Sequence, residues 1–167
     1  MRVGILSDSH GDAVITAKAV SLLERHGAEH LFHCGDLCGE PVIDELAGHP
    51  CRFVWGNCDE PSPTLRRYVE KLDLVWPELP VRVRLAGKQI ALYHGHEPSF
   101  YEVSQESGVD FCFHGHTHQY ADYRENGCRF INPGALHRAE FHTVALLDLE
   151  TGERTFLQVE TGEVIQL

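Results

Sequence analysis

An α/β fold of two packed sheets flanked by helices follows from three features of the sequence. In the first half, apolar strands end in polar loops carrying aspartate or asparagine, with helical segments between them. This is the pattern of a parallel sheet, whose ligands gather at the carboxyl ends of its strands. The second half alternates at period two and carries hairpin turns, the pattern of antiparallel pairing. No Pro/Ser-rich linker, internal repeat or low-complexity segment separates the halves, so one domain over residues 1–167 is expected.

The elements follow in order. Arg2 to Leu6 is a short apolar strand ending in Ser7-Asp8-Ser9-His10-Gly11-Asp12, and the Ala- and Leu-rich stretch to about Gly27 has helical spacing of apolar residues. His30 to His33 is a second strand ending in Cys34-Gly35-Asp36, with a helix predicted from about Pro41 to Ala47. Arg52 to Trp55 repeats the pattern and ends in Gly56-Asn57-Cys58-Asp59. Val81 to Leu85 alternates polar and apolar, and Ala86-Gly87-Lys88 turns it into Gln89 to Tyr93. Glu97 to Ser107 is moderately helical and Val109 to Phe113 reads as a buried strand. Glu125-Asn126-Gly127 is a hairpin turn between Tyr120–Arg124 and Cys128–Ile131. Thr143–Leu149 and Thr155–Glu160 are the last strands, separated by Thr151-Gly152-Glu153.

Composition narrows the function classes. Apolar residues make up 43% of the 167 and charged residues 23%, and no stretch reaches the roughly 20 apolar residues of a membrane span. Asp plus Glu outnumber Lys plus Arg by 25 to 14, a net charge of −11 that argues against coating of nucleic acid. The N-terminus meets Asp8 before any signal-peptide core is complete, so a cytoplasmic location is expected. The six cysteines form no Cys-x-x-Cys pair and are read as reduced thiols, with Cys34, Cys51 and Cys112 packing as small hydrophobes.

Histidine is in excess, with 12 in the chain. Asp8-Ser9-His10, His94-Gly95-His96 and His116-Thr117-His118 each space two ligand-type residues by two. In extended backbone such residues point the same way about 6.5–7 Å apart, so each pair can aim at one site. Imidazole, carboxylate and carboxamide oxygen together suit Zn, Mn, Fe, Co or Ni better than Ca or Mg alone.

Taken in order, Asp8-x-His10, Gly35-Asp36, Gly56-Asn57-Cys58-Asp59, His94-Gly95-His96 and Gly115-His116-Thr117-His118 resemble the motifs of the calcineurin-like metallophosphoesterases, in particular the small bacterial and archaeal phosphodiesterase branch. The resemblance implies a four-layer αββα sandwich of two mixed β-sheets flanked by helices, of the metallo-dependent phosphatase type. It further implies two divalent cations: Asp8, His10 and His118 around the first, Asn57, His94 and His116 around the second, and Asp36 bridging them. The implied reaction is hydrolysis of a small phosphoester, favouring diesters, by in-line attack of a hydroxide shared by the two cations. Asp36 and Asn57 would thus serve catalysis as well as metal binding.

Cys58 departs from the commoner pattern, which has histidine after the metal-binding asparagine. A thiol is a poorer proton donor to a leaving alkoxide, and His96 is the candidate replacement, with a hydrogen bond to a metal ligand as its alternative. The arginine-bearing motif of protein phosphatases is absent after Asp36, where Leu37-Cys38-Gly39-Glu40 follows. His33 and His114 are read as structural or as hydrogen-bonding a ligand, and His26, His30, His49, His137 and His142 as ordinary core or surface residues. Asn132-Pro133-Gly134 is read as a turn. Substrate rim segments are expected at Ser9–Asp12, Leu37–Pro41, Cys58–Thr64 and Glu97–Tyr101. The competing functions are a catalytically silent metal-binding scaffold, like the metallophosphoesterase-like subunit of the retromer coat, and a phosphomonoesterase or nuclease of the same fold. Oligomeric state and native metal leave no mark in the sequence.

Overall fold

The structure, a computed structural model, describes residues 1–166. Strands β1 (Arg2–Leu6), β2 (His30–His33) and β3 (Cys51–Phe53) alternate with helices α1 (Ala13–Arg25) and α2 (Glu40–Leu46), and helix α3 (Pro63–Lys71) follows β3. Strands β4 (Val81–Leu85) and β5 (Lys88–Leu92) form a hairpin, and a 3-10 helix, Pro98–Gln105, leads to β6 (Phe111–Phe113). A second hairpin joins β7 (Ala121–Glu125) to β8 (Cys128–Asn132), and β9 (Thr143–Asp148), β10 (Arg154–Gln158) and β11 (Val164–Ile165) complete the chain.

These strands make two mixed sheets, ordered β11-β10-β9-β1-β2-β3 and β4-β5-β6-β8-β7. Pairing is parallel in β1·β2, β2·β3, β5·β6 and β6·β8, and antiparallel elsewhere. The expected parallel beginning and hairpin-rich end are therefore both present, but the second sheet also has a parallel centre, β5-β6-β8.

Strand alternation sets the layers. Val3 and Ile5 of β1, Phe32 of β2 and Ala145 and Leu147 of β9 face inward and pack against Ile90, Leu92, Phe111, Phe113 and Ile131 of the second sheet. Leu31, Val144 and Leu146 point outward under the apolar faces of α1 and α2. On the far side Ala91, Tyr93, Cys112 and Phe130 are covered by Val103 and Phe100 of the 3-10 helix. The four-layer sandwich holds, with one outer layer supplied by a 3-10 helix where a moderately helical segment was expected.

The helix boundaries have local causes. Asp12 accepts the Ile15 amide at 3.0 Å and caps α1. Helix α3 has no counterpart among the sequence expectations, because Val69 is its sole fully buried residue and its apolar stripe is thin. Its signal was Ser62-Pro63: Ser62 Oγ accepts the Leu65 amide at 3.1 Å, and proline occupies the first turn, where no amide donor is needed. Cys34, Cys51, Cys112 and Cys128 are buried thiols, and all six cysteines are free. Among the described residues no helix is long and apolar enough to cross a membrane.

The two sheets are also joined by charge. Asp122 of β7 accepts from Arg129 of β8 at 2.6 and 2.8 Å and from Arg154 of β10 at 2.9 Å, with all three side chains largely buried. Burial alone would raise the Asp122 carboxyl, but the two guanidinium groups outweigh it and lower its pKa. A carboxyl lowered in the folded state stabilises the fold above the unfolded value of about 4 and loses that contribution as pH falls through the folded one. Asp122→Ala, which leaves two cations facing each other, is expected to cost about 3 kcal/mol in denaturant unfolding at pH 7. The difference from wild type should shrink as the pH is brought below about 4; a pH-independent difference would refute the assignment.

Candidate metal centre

The loops after β1, β2 and β3 meet those after β5, β6 and β8 at one end of the sandwich, so each strand end delivers its polar residues to the same place. The β1 loop continues alongside the β2 loop through three backbone hydrogen bonds, Asp8 N–H to Gly35 O (3.0 Å), His10 N–H to Asp36 O (2.9 Å) and Gly11 N–H to Leu37 O (2.9 Å). The Gly115 amide reaches His94 O at 2.8 Å within the second sheet's loops, and the Leu136 amide reaches Ser7 O at 3.1 Å, tying the two sheets together at the site.

The seven residues expected as metal ligands come together here. His118 Nε2 lies 3.2 Å from Asp8 Oδ1, and His10 Nε2 lies 4.0 Å from the same oxygen and 3.5 Å from Asp36 Oδ2. His94 Nε2 is 3.4 Å from Asp36 Oδ2, 3.1 Å from Asn57 Oδ1 and 3.3 Å from His116 Nδ1. Two neighbouring groups result, Asp8, His10 and His118 on one side and Asn57, His94 and His116 on the other, with Asp36 facing both. Cys58 also comes within reach, since it clusters with His10 and Asp36 as a third metal-competent group.

The extended geometry expected for the i, i+2 pairs is not what brings them together. Asp8 (φ 56°), His10 (φ 44°), Asp36 (φ 57°), His116 (φ 71°) and His118 (φ 58°) all occupy the left-handed region. Aspartate and histidine tolerate that region better than most residues, but each such position still costs about 1–2 kcal/mol. The backbone coils at each motif and turns both side chains inward. In the third pair, Gly95 (φ 117°) turns instead, and only His94 enters the site. His96 stays on the open side, about a third exposed, its ring centroid 5.3 Å from that of His94 and 6.1 Å from that of His116.

Close packing demands glycine at two points. A Cβ on Gly56 would fall 2.0 Å from Asp36 Oδ1, and one on Gly115 would fall 1.9 Å from Ser7 Oγ and 2.5 Å from Asp8 Oδ2. Both carboxylates are thus pressed against bare backbone.

Hydrogen bonds then orient each donor. His94 Nδ1 bonds Cys34 O at 2.7 Å, which places the proton there and turns the Nε2 lone pair into the site. Asp8 Oδ2 accepts from Ser7 Oγ at 2.5 Å and the His116 amide at 3.1 Å. Asp36 Oδ1 accepts the Cys58 amide at 2.8 Å. Burial would raise Asp36, but the facing His94 imidazole and the Cys58 amide outweigh it and hold the carboxyl well below the usual range. His10 is lowered, chiefly by burial. The Cys58 thiol is pushed up by partial desolvation and by the Asp36 carboxylate, so at neutral pH it is protonated.

Three clamps had no assignment, or only a loose one, in the sequence. Glu97, buried, accepts the amides of His94 (2.9 Å) and Gly95 (2.7 Å). Asp59 accepts the amides of Asp36 (2.9 Å), Cys38 (2.7 Å) and Gly56 (2.7 Å) and so ties the β2 loop to the β3 loop. Asn132 donates to Gly115 O (2.8 Å) and Thr117 Oγ1 (3.0 Å), so the Asn-Pro-Gly turn braces the His116 loop. His33 takes the Gly35 amide on Nδ1 (3.2 Å) and faces Ser9 Oγ through Nε2 (2.8 Å), and burial lowers it to about 3. His114, lowered to about 4 by burial, packs against Phe100 with ring centroids 4.9 Å apart. His137, assigned no part from sequence, has its ring 5.4 Å from that of His10.

The donor set fits a divalent cation. Asp8 Oδ1 is fully buried and accepts no hydrogen bond although three imidazole nitrogens lie within 4.0 Å. An orphaned buried carboxylate oxygen is costly unless a cation satisfies it.

Comparison with known proteins agrees with this geometry. Residues 1–152 match the model of the calcineurin-like phosphoesterase superfamily domain. A phosphodiesterase of Methanocaldococcus jannaschii is 26% identical over 160 residues, covering 92% of this chain and 96% of its own. The solved structure of an archaeal phosphodiesterase superposes with TM-score 0.85 at 24% identity, covering 95% of this chain and 99% of that one. Yfce, a phosphoesterase from E. coli, gives 0.71 at 23% identity, covering 99% and 97%. Zinc-complexed Vps29 from Entamoeba histolytica gives 0.68 at 23%, covering 99% and 96%. With the family model spanning most of its length and the family's motifs converging at one sheet edge, the chain belongs to the calcineurin-like phosphoesterase superfamily.

Proposed function

We propose that the protein is a metal-dependent phosphodiesterase acting on a small phosphoester. The observation that carries this reading is the unsatisfied Asp8 Oδ1, buried without a hydrogen bond while nitrogens of His118, His10 and His94 lie within 4.0 Å. Asp8, His10 and His118 would hold one cation, Asn57, His94 and His116 a second, and Asp36 both. Mn, Fe, Zn, Ni and Co suit this donor set. When bound there, such cations supply an acidified water as nucleophile and offset the charge that builds on the phosphoryl oxygens.

The chain's own residues do the rest. Cys34 O and Glu97 fix His94 in orientation and tautomer, and Asp59 and the Cys58 amide fix Asp36. His96, on the open side with Nδ1 3.7 Å from Glu97 Oε2, is the group placed to give a proton to the departing alkoxide. The protonated Cys58 thiol, taking a long contact from Asn57 Nδ2 at 3.5 Å, holds the asparagine carboxamide and is a secondary donor. The diester preference rests on the curated relative, and nothing in the acidic surface favours a long polyanion.

Asp36→Asn is expected to lower bound metal and hydrolysis of bis(p-nitrophenyl) phosphate by more than the roughly 10–100-fold typical of residues that merely support ligands. Elemental analysis and turnover of the purified protein read both. Stoichiometric metal with no diester hydrolysis under any divalent cation would instead establish the scaffold reading. Glu97→Gln, acting through His94, should weaken metal binding by about tenfold, measured by competition with a chelator, while leaving the thermal midpoint close to wild type.

His96→Ala should slow an ester with an alkoxide leaving group by about 10²-fold or more, yet barely affect p-nitrophenolate, which departs without a proton. Equal losses on both esters would remove His96 from the role of acid.

A further inference from the structure

We infer that the groove beside His118, walled by the 137–142 loop, is the subsite for an aryl or nucleoside ester group of the substrate. The inference rests on the phosphodiesterase reading and names what the second ester oxygen carries. The groove encloses about 670 Å³ and is lined by Thr117, His118, Tyr120, Arg138, Glu140 and Phe141 among others. That volume is the size of a small-molecule site. One of its walls is the proposed metal ligand His118, so an ester group of a phosphate held at the centre would lie within reach of it.

Its walls have the chemistry of a planar, neutral guest. Phe141 is half exposed and Tyr120 more than a third exposed. Tyr120 is braced from behind, its ring 5.2 Å from the buried Phe156, so it presents a fixed surface. Paired aromatic walls at the mouth of a polar site are spent on stacking. Glu140 disfavours a second phosphate while accepting from hydroxyl or amino groups of a sugar or base. Arg138 completes the arrangement. Among the described residues Arg138, like Arg25, Arg52, Arg67, Arg84 and Arg124, is in no ion pair, and of these six it alone lines the groove. It is held in the left-handed region (φ 52°) close enough to Cys58 for its charge to act on that thiol, and the preceding His137 lies against His10. The 137–138 segment therefore runs from the ligand His10 to the groove, whose wall includes Arg138, a cation able to attract an anion held at the centre. None of the rim segments expected from sequence includes this loop.

The test is binding, so that it stands apart from turnover. Calorimetry of manganese-loaded protein with diphenyl phosphate, dimethyl phosphate and inorganic phosphate should show diphenyl phosphate bound about tenfold tighter than dimethyl phosphate, the gain expected from one stacked ring. Phe141→Ala should abolish that difference and leave inorganic phosphate unchanged, and Arg138→Gln should weaken all three anions together. Equal affinity for the two diesters in wild type, or a preference that survives both Phe141→Ala and Tyr120→Ala, would overturn the assignment. Selective diphenyl phosphate binding by a protein that hydrolyses no diester would sustain the groove and sink the phosphodiesterase reading.

Discussion

Two buried carboxylates facing four imidazoles, with too few protons among them, set the terms for the rest of this molecule. Asp8 is wholly inaccessible and Asp36 nearly so. Without a cation, an orphaned oxygen such as Asp8 Oδ1 costs about 1–3 kcal/mol, and the left-handed backbone at five of the seven ligand positions adds to that. Such a cluster persists only where its surroundings over-determine it. Here the surroundings are two sheets packed through an apolar layer, with strand-end loops cross-bonded to one another and glycines such as Gly35, Gly56 and Gly115 where a side chain would collide.

The same constraint explains what could be read from sequence. Each proposed ligand lies in the loop after a short apolar strand, so an apolar run followed by Asp, Asn or His marks both the element and the site. His94, His116 and His118 stand out this way. The clamps do not, because Glu97, Asp59 and Asn132 bond main-chain amides and carbonyls, which are the same for every residue. A polar residue following a ligand gives no sign whether it faces water or a neighbouring loop. The i, i+2 spacing pointed to convergence, but by extended backbone; what brings the side chains inward is a left-handed coil that only the tolerance of Asp and His for positive φ could have hinted at. Helix α3 went unseen for a related reason, since its burial is slight and its cap, Ser62-Pro63, carries the information that its periodicity lacks.

Charge gains meaning from position as well. The net −11 is spread over the surface, whereas the site gathers imidazoles and two carboxylates, with Arg138 in the wall of the neighbouring groove. Two divalent cations would add +4 where Asp8 and Asp36 contribute −2, leaving a positive well in an acidic body. Small anions that fit the well would be admitted, while a long polyanion would have to approach an acidic body. The inter-sheet cluster of Asp122, Arg129 and Arg154 uses cations differently: buried away from the site, it fixes the relation of β7, β8 and β10.

The fold alone does not decide between catalysis and scaffolding, since Vps29 proteins superpose with TM-scores of 0.66 to 0.70. The distinction must come from what a scaffold would have no need to keep. A docking surface needs neither a fully buried carboxylate oxygen without a partner nor five strained residues around it. It has no use for three separate clamps that fix the main chain of the ligand loops. Metal binding accounts for those costs. A half-open histidine beside the site, His96, and an arginine in the wall of the neighbouring groove, Arg138, go further, because a cation held only for structure would be sealed in, whereas this one would face an entrance furnished for an anion.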